Sequence, residues 1–586
     1  MTAALAAGAL AGRVDAAYAR IEAAARPELW IDLRPQDAVL ADAVVVEARL
    51  AAGERLPLAG TLVAVKGNID VAGLRTTAAC PLFGEVAAEH APAVARLVAA
   101  GALVVGTTNL DQFATGLVGT RSPYGAVRDA RRPDRVAGGS SSGSAVAVAL
   151  GLVDVALGTD TAGSGRVPAA FGGIVGLKPT RGLLPTRGVV PACRELDCVS
   201  VFAADLPTAR LAAAVCAGVD PADPLSRPWP ADAPLAAPPR PRVGVPLDGD
   251  LAPLSAAGRA AFAQAAARLA DRGAELVPVS LAPFVAAGAL LYGGGFVAQR
   301  YAAVGAFVEA HAGEDGVDPT VAAIVLGARD VSAHRLVADT ETLDGLRRQA
   351  REVFAELDAL LVPTVPHQPT LAEVAADPVG ANARLGVWTT CANLLDLSAV
   401  AVPAGTADGG AFGVTLYAPA FADAVAADVA ALLGDPADVG AGLPADPAAP
   451  DVPRWGPDGV ELVVLGAHLS GLPLNHELTG CGGRLAGEVT TAPAYRLLAL
   501  PGDPPKPGLV RAAAGDGASV TGERWQLPPS GLARLLAGLP RPMTLGPVEL
   551  SDGSVRTGFG CHLAPDETAD DITAFGGWRA YLGSRS

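Results

Sequence analysis

The sequence predicts an α/β protein in two domains, and two observations carry the prediction. Short, wholly apolar runs alternate with helical stretches, and a Pro/Gly/Asp-rich segment at 435–459 precedes a shorter part with β-rich patterning. Residues 1–50 read as helical and alanine-rich. LVAV at 62–65 reads as a buried strand ending at a lysine. Helical periodicity returns at 92–100 (PAVARLVAA), and ALVV at 102–105 gives the next strand. The Pro-rich stretch 220–242 reads as a surface connection within one large domain, because the strand-like VGV at 243–245 resumes the alternation. After 459, ELVVLG at 461–466, YRLLAL at 495–500 and GFGCH at 558–562 read as short strands. The expected boundaries are 1–434 for the first domain, 435–459 for a linker and 460–586 for the second domain.

Composition excludes several classes. Of the 586 residues 51% are hydrophobic, yet no run of about 18 strongly apolar residues is present, so no membrane span is expected. Only 18% of residues are charged, which argues against a disordered chain, and the net charge of −16 disfavours nucleic acid as a partner. Seven cysteines are scattered without CxxC spacing, which predicts neither a disulfide framework nor a zinc site. The N-terminus lacks a basic segment before its apolar residues and reads as an amphipathic helix rather than a signal peptide. The expectation is a cytoplasmic protein with no metal or organic cofactor.

Three of the 44 basic residues are lysine: Lys66, Lys178 and Lys506. In a chain so biased towards arginine, a retained lysine draws attention, because lysine can lose its proton when buried and arginine cannot. Lys66 ends the first apolar strand. Downstream are two clusters of small residues, GGSSSGS at 138–144 and GTDTAGSGR at 158–166. Turns of this composition, opening a helix or following a strand, expose consecutive N–H groups that can hold an anion. That anion is a phosphate on one reading and a developing oxyanion on another; GxxxxGK[ST] is absent, so a P-loop is excluded. A serine nucleophile needs a base, and all seven histidines lie outside both clusters, whereas a desolvated Lys66 is a candidate for that role.

VKGNID (65–70), GGSSSGS, GTDTAGSGR and GLKPT (176–180), with 74 residues between Lys66 and Ser140 and 24 between Ser140 and Ser164, resemble the amidase signature family. The resemblance is firm from about residue 62 to 203 and looser to about 434. It implies a mixed central sheet covered by helices, a catalytic Lys66, a bridging Ser140 on a cis peptide and a nucleophilic Ser164. It further implies an oxyanion hole from the backbone N–H groups of Thr161, Ala162, Gly163 and Ser164. One departure is Ser142, where the family commonly has glycine. Asp160 and Arg166 flank the nucleophile and are expected to brace its loop as an ion pair; Lys178 is expected to be structural.

Three features are similar to the allophanate hydrolase branch: DTAGSGR with ACRELDCVSVFA at 192–203, LLYGGGFVAQRY at 290–301, and GAHLSGLPL at 466–474. That branch implies allophanate as substrate, bound by Tyr292, Arg300 and Gly139. The eight-residue spacing of Tyr292 and Arg300 is expected to place both near one helix face. The second domain resembles the small α+β barrels of gamma-glutamylcyclotransferase-like folds, and the branch implicates it in decarboxylating N-carboxycarbamate through His468. Arg484, Tyr495 and Arg496 are candidates for holding that dianion. A homodimer and functional coupling to a biotin-dependent urea carboxylase are further implications. The competing readings are a general small-amide amidase with an oligomerisation domain and a catalytically silent binding module.

Overall fold

The computed structural model describes residues 8–434, 453–564 and 569–585. They divide into two units. The first runs to Pro228 and resumes at Pro241; the second joins Trp229–Arg240 to Gly456–Ser586. Residues 435–452 of the expected linker lie outside the described residues.

The first unit is built on one mixed sheet of 11 strands. In chain order these are β1 (Trp30–Leu33), β2 (Leu62–Lys66), β3 (Leu103–Thr108), β4 (Val155–Asp160), β5 (Val175–Lys178), β6 (Cys198–Ala203), β7 (Arg242–Pro246), β8 (Glu275–Val279), β9 (Ala359–Pro363), β10 (Ser398–Ala407) and β11 (Gly410–Ala418). Their spatial order is β1-β3-β2-β4-β6-β5-β10-β11-β9-β7-β8. β2 lies between β3 and β4 and runs parallel to both, while β4 meets β6 antiparallel. Every residue of β2, β3 and β4 is buried, which explains why each opens on an apolar run without alternation: strands covered on both faces do not alternate. On one side pack the helices Ala9–Ala24, Gln36–Ala51 and Ser142–Ala149, which share a core with Leu62, Ala64, Leu103 and Ala156. The parallel trio ends together at Lys66, Thr108 and Asp160, and the carboxyl end of such strands is where α/β sheets build sites.

The N-terminal region departs from the all-helical expectation. Trp30–Leu33 leaves the helical pattern and pairs antiparallel with β3 as the edge strand. Four residues are too few to show a period. Among the described residues no single helix is long and apolar enough to cross a membrane.

The second unit is α+β. Its strands are β12 (Val460–Val464), β13 (Arg484–Thr490), β14 (Tyr495–Leu500), β15 (Lys506–Arg511), β16 (Thr521–Leu527), β17 (Met543–Glu549), β18 (Val555–Cys561) and β19 (Asp570–Asp571). A five-stranded sheet, β13-β16-β12-β18-β17, and a three-stranded sheet, β15-β14-β19, enclose a core that includes Leu462, Leu497, Trp525 and Phe559.

The Pro-rich stretch is a correction to the sequence reading. Trp229–Arg240 clusters with the second unit, not the first. The Leu235 N–H donates to the Gly482 carbonyl at 2.8 Å, and Asp232 accepts from the Ser530 N–H at 2.8 Å, at the start of the helix Pro529–Ala537. Leu235 itself is 1% exposed. Proline composition marks a connecting segment but not the unit it packs against. Leu235→Ala in the full chain is expected to destabilise the second unit by about 2–5 kcal/mol, the usual cost of a buried leucine truncation. Hydrogen exchange should show it as faster exchange in 478–483 and in Pro529–Ala537, with β2–β4 unchanged; protection unchanged in those segments would mean the strap is not structural.

Candidate active site

Lys66 is fully buried at the end of β2, and its Nζ lies 2.7 Å from Ser140 Oγ and 2.7 Å from Thr159 Oγ1. Burial is the main influence on this amine and lowers its pKa from 10.5 to about 7. Asp111, Asp160 and Asp197 pull the other way, and Arg300 adds to the lowering. The amine is therefore about half neutral at pH 7 and largely neutral above pH 8.

Ser140 precedes the helix Ser142–Ala149, and the Gly139–Ser140 peptide is cis, as the family resemblance implies. The Ser141 hydroxyl fastens this loop to β4, donating to the Thr159 carbonyl at 3.0 Å and accepting from the Thr159 N–H at 3.3 Å. Gly139 is needed for packing: a Cβ there would sit 2.1 Å from Asp111 Oδ2. Asp111 is buried and accepts N–H bonds from Val118, Gly119 and Arg121, while its own N–H donates to the Ser140 carbonyl. Burial raises its pKa above the carboxylate range despite Arg121.

Ser164 follows β4 in a turn organised by Asp160. The two Asp160 oxygens accept from the N–H groups of Gly163 and Gly165, each at 2.9 Å, and from the Arg166 guanidinium at 3.0 and 2.8 Å. Both side chains of this ion pair are fully buried. Burial opposes ionisation of Asp160, but Arg166 outweighs it and holds the carboxyl below its usual range. Arg166 also donates to the Thr389 carbonyl and to Tyr417 Oη, and Asn393 Nδ2 donates to the Asp160 carbonyl at 2.7 Å. Asp160 and Arg166 therefore brace the turn, as expected from sequence.

The nest differs from the expected one at a single position. The Gly163 N–H is committed to Asp160 Oδ1, a charge-assisted bond, so it is not an open donor here. Among the described residues the N–H groups of Thr161, Ala162 and Ser164 have no partner, and neither does the Ser164 hydroxyl. Ser140 and Ser164 are thus not hydrogen-bonded to each other in this structure. The Thr161 hydroxyl donates to Asp197, which also accepts from the N–H groups of Ala192 and Cys193.

Tyr292 and Arg300 are brought together, but not on one helix. The helix Ala282–Gly293 stops at a glycine triplet, a short 3₁₀ turn Gly295–Val297 follows, and Arg300 lies in a second helix, Ala298–His311. The triplet is there for close approach. The Gly295 N–H donates to Asp339 at 2.6 Å, and a Cβ on Gly295 would lie 2.6 Å from the Leu336 Cα of a crossing helix. Across the break, the Arg300 guanidinium donates to Tyr292 Oη at 2.8 Å and to Thr115 Oγ1 at 2.7 Å. Arg300 is 2% exposed, its Nε has no partner, and among the described residues no carboxylate pairs with it.

Lys178 is buried, donating to the Pro179 carbonyl at 2.8 Å, so its contacts are structural. Among the described residues no cluster of side chains suits a metal ion. Sequence reasoning missed Asp111, Asp197, Thr389 and Asn393. Asp111 has a weak signal, a carboxylate just beyond a buried parallel strand; the others act from far along the chain.

The second unit holds its own cavity, of about 450 Å³, lined by His468, Glu477, Lys506, Arg534 and Phe559 among others. His468 Nε2 lies 2.9 Å from Glu477 Oε2, and its ring stacks on Phe559 with centroids 4.7 Å apart. Burial lowers the His468 pKa, against the pull of Glu477. The three dianion candidates read from sequence are engaged elsewhere. Arg496 pairs with Asp571, Arg484 donates to Gln526, and Tyr495 Oη accepts from the Glu549 N–H. None of them lines the cavity.

A mixed sheet carrying a buried lysine–serine contact beside a braced serine turn defines the class. The chain belongs to the amidase family, whose sequence model matches residues 13–425. The model of the allophanate hydrolase C-terminal domain matches 460–583. The allophanate hydrolase of Kluyveromyces lactis is similar over 98% of this chain and 97% of its own, with a TM-score of 0.87 and 36% identity. Urea amidolyase of Saccharomyces cerevisiae is 38% identical over 94% of this chain, but the chain spans only 31% of that protein. One glutamyl-tRNA(Gln) amidotransferase polypeptide, from Deinococcus deserti, is 36% identical over 75% of this chain and 95% of its own.

The Lys66 shift has a consequence for stability. Between about pH 7 and 10.5 the folded state leaves Lys66 neutral while the unfolded chain keeps its proton, so stability rises with pH across that window. Urea denaturation of wild type and Lys66→Met at pH 6.5, 8 and 9.5 should show the difference moving in favour of wild type as pH rises. A pH-independent difference would mean that the amine is not displaced.

Proposed function

We propose that the chain is an allophanate hydrolase acting in two steps. The observation that carries this reading is Arg300: a buried guanidinium with no carboxylate partner among the described residues, joined to the Tyr292 hydroxyl. Asp197 acts on Arg300 without a direct ion pair, so burying this charge stays costly, and an anionic substrate would supply a direct counter-ion. Allophanate is a urea bearing a carboxylate, which a guanidinium can grip while its amide faces the serine. The similarity to the Kluyveromyces lactis enzyme along nearly the whole chain supports the same substrate.

In the first step, neutral Lys66 takes the Ser140 proton as Ser140 takes that of Ser164. The relay closes when the Ser164 side chain, free of competing hydrogen bonds, turns onto Ser140. Ser164 Oγ attacks the carbonyl carbon, and the N–H groups of Thr161, Ala162 and Ser164 receive the oxyanion. Gly163 contributes through Asp160, which holds the turn open for its neighbours. The proton returns through Ser140 to the departing nitrogen, and ammonia leaves. Water then cleaves the acyl-enzyme by the same relay, releasing N-carboxycarbamate. In the second step that dianion takes up one proton and splits into carbamate and carbon dioxide at the His468 cavity; carbamate then yields the second ammonia. Allophanate is a carboxylated urea, so a reaction that carboxylates urea must supply it. A biotin-dependent urea carboxylase fits that place, and the urea amidolyase relatives, about three times the length of this chain, are consistent with such coupling.

Ser164→Ala should abolish ammonia release from allophanate, and Lys66→Arg should lose at least ~10³-fold in kcat, since a permanent cation cannot act as base. In wild type, kcat/KM should rise with pH around a midpoint near 7. More than a few per cent of activity in Ser164→Ala removes it as nucleophile. Arg300→Lys should cost about 10–100-fold in kcat/KM on allophanate and much less on a neutral small amide. Equal losses on both substrates would make Arg300 a structural residue and favour a general amidase.

A further inference from the structure

The third lysine lies in neither part of the amidase machinery. Lys506 opens β15, is half-buried and lines the His468 cavity. Its position is fixed by the residue that follows it. Pro507 is buried against the His468 loop so tightly that a Cβ on Gly466 would lie 2.3 Å from the Pro507 Cδ. Lys506 is thus held next to the loop that carries the histidine.

The charges around the cavity are unequal. Glu477, the one carboxylate on its wall, is engaged by His468. Lys506 and Arg534 bring two cations, and among the described residues neither has an ion-pair partner. In a chain of net charge −16, a cavity with two uncommitted cations and an oriented imidazole is built for a small anion. A lysine ammonium suits one carboxylate of such a ligand as a point charge, and the histidine stands beside it.

We infer that Lys506 is the residue that binds a carboxylate of N-carboxycarbamate in this cavity, with Arg534 as a second cation on the same wall. The inference rests on the proposed role of the second unit in handling that dianion. Arg484 and Arg496, cations of the same unit, are bound to Gln526 and Asp571 outside the cavity and take no part.

Malonate is a stable probe, since it replaces the central NH of N-carboxycarbamate with CH₂ and keeps both carboxylates. The full-length protein, labelled with ¹⁵N-histidine, would be titrated with malonate while the His468 resonances are followed. Wild type should bind with shifts at His468. Lys506→Gln should weaken that binding about tenfold or more, Lys506→Arg should restore most of it, and Arg496→Gln should leave it unchanged. Wild-type affinity at His468 in Lys506→Gln would overturn the inference. A rapid-quench time course with ¹³C-labelled allophanate tests the underlying reading separately: His468→Ala should prolong the carboxylated intermediate. If wild type and His468→Ala give equal lifetimes, the decarboxylating role of the second unit falls. If His468→Ala prolongs the intermediate but Lys506→Gln binds malonate normally, only the assignment of Lys506 falls.

Discussion

The chemistry proposed for the first unit depends on keeping one amine neutral. Lys66 is fully buried where three parallel strands end, and desolvation lowers its pKa to about 7. Three buried carboxylates lie close enough to oppose that shift. The surroundings limit their effect in ways that can be named. Asp160 is neutralised by Arg166 in a fully buried pair, so its charge is spent on the nucleophile turn. Asp111 and Asp197 are pushed towards their protonated forms by burial, although backbone N–H groups hydrogen-bond both. Arg300 adds a positive charge that disfavours the ammonium. The same guanidinium that would hold the substrate carboxylate therefore also helps to free the base. Once an anion neutralises Arg300, that help weakens, which links substrate charge to the protonation of Lys66.

Much of this was legible in the chain because local signals coincide. β2 and β3 open on the apolar runs LVAV and LVV, which strands covered on both faces allow, whereas the VAL that opens β4 continues the apolar stretch of the preceding helix and does not stand out from it. The Gly/Ser clusters are contiguous, so the serine loop, the turn after β4 and the Asp160–Arg166 pair can be read within 30 residues. What was not legible depends on contacts distant in sequence. Thr389, Asn393 and Tyr417 support Arg166 or Asp160 from more than 200 residues away. The eight-residue spacing of Tyr292 and Arg300 suggests one helix face; the break at the glycine triplet depends on the crossing helix at Leu336, which local spacing does not show. The strap at Trp229–Arg240 was misassigned because composition marks a proline-rich segment as a connection and says nothing about which domain it joins.

The three lysines make a consistent set in a chain that otherwise uses arginine. The role proposed for Lys66 requires deprotonation, which arginine cannot offer. Lys178 fits a closed space against Pro179 and Cys198. Lys506 lines a cavity beside an imidazole. Under the proposed function the two units would divide the work by charge state: the first would discharge a cation to make a nucleophile, and the second would retain cations to hold a dianion.

The scarcity of lysine also makes the central claim directly measurable. With ¹³Cε-lysine labelling, the chain gives only three lysine signals, and Lys66→Met identifies the one that matters. Following that signal against pH in the ligand-free protein reads the amine itself, independent of any rate. The account predicts a titration midpoint near 7 for Lys66. A Lys66 signal that stays protonated up to about pH 10 would contradict it, because an ammonium cannot begin the relay on which the first step rests.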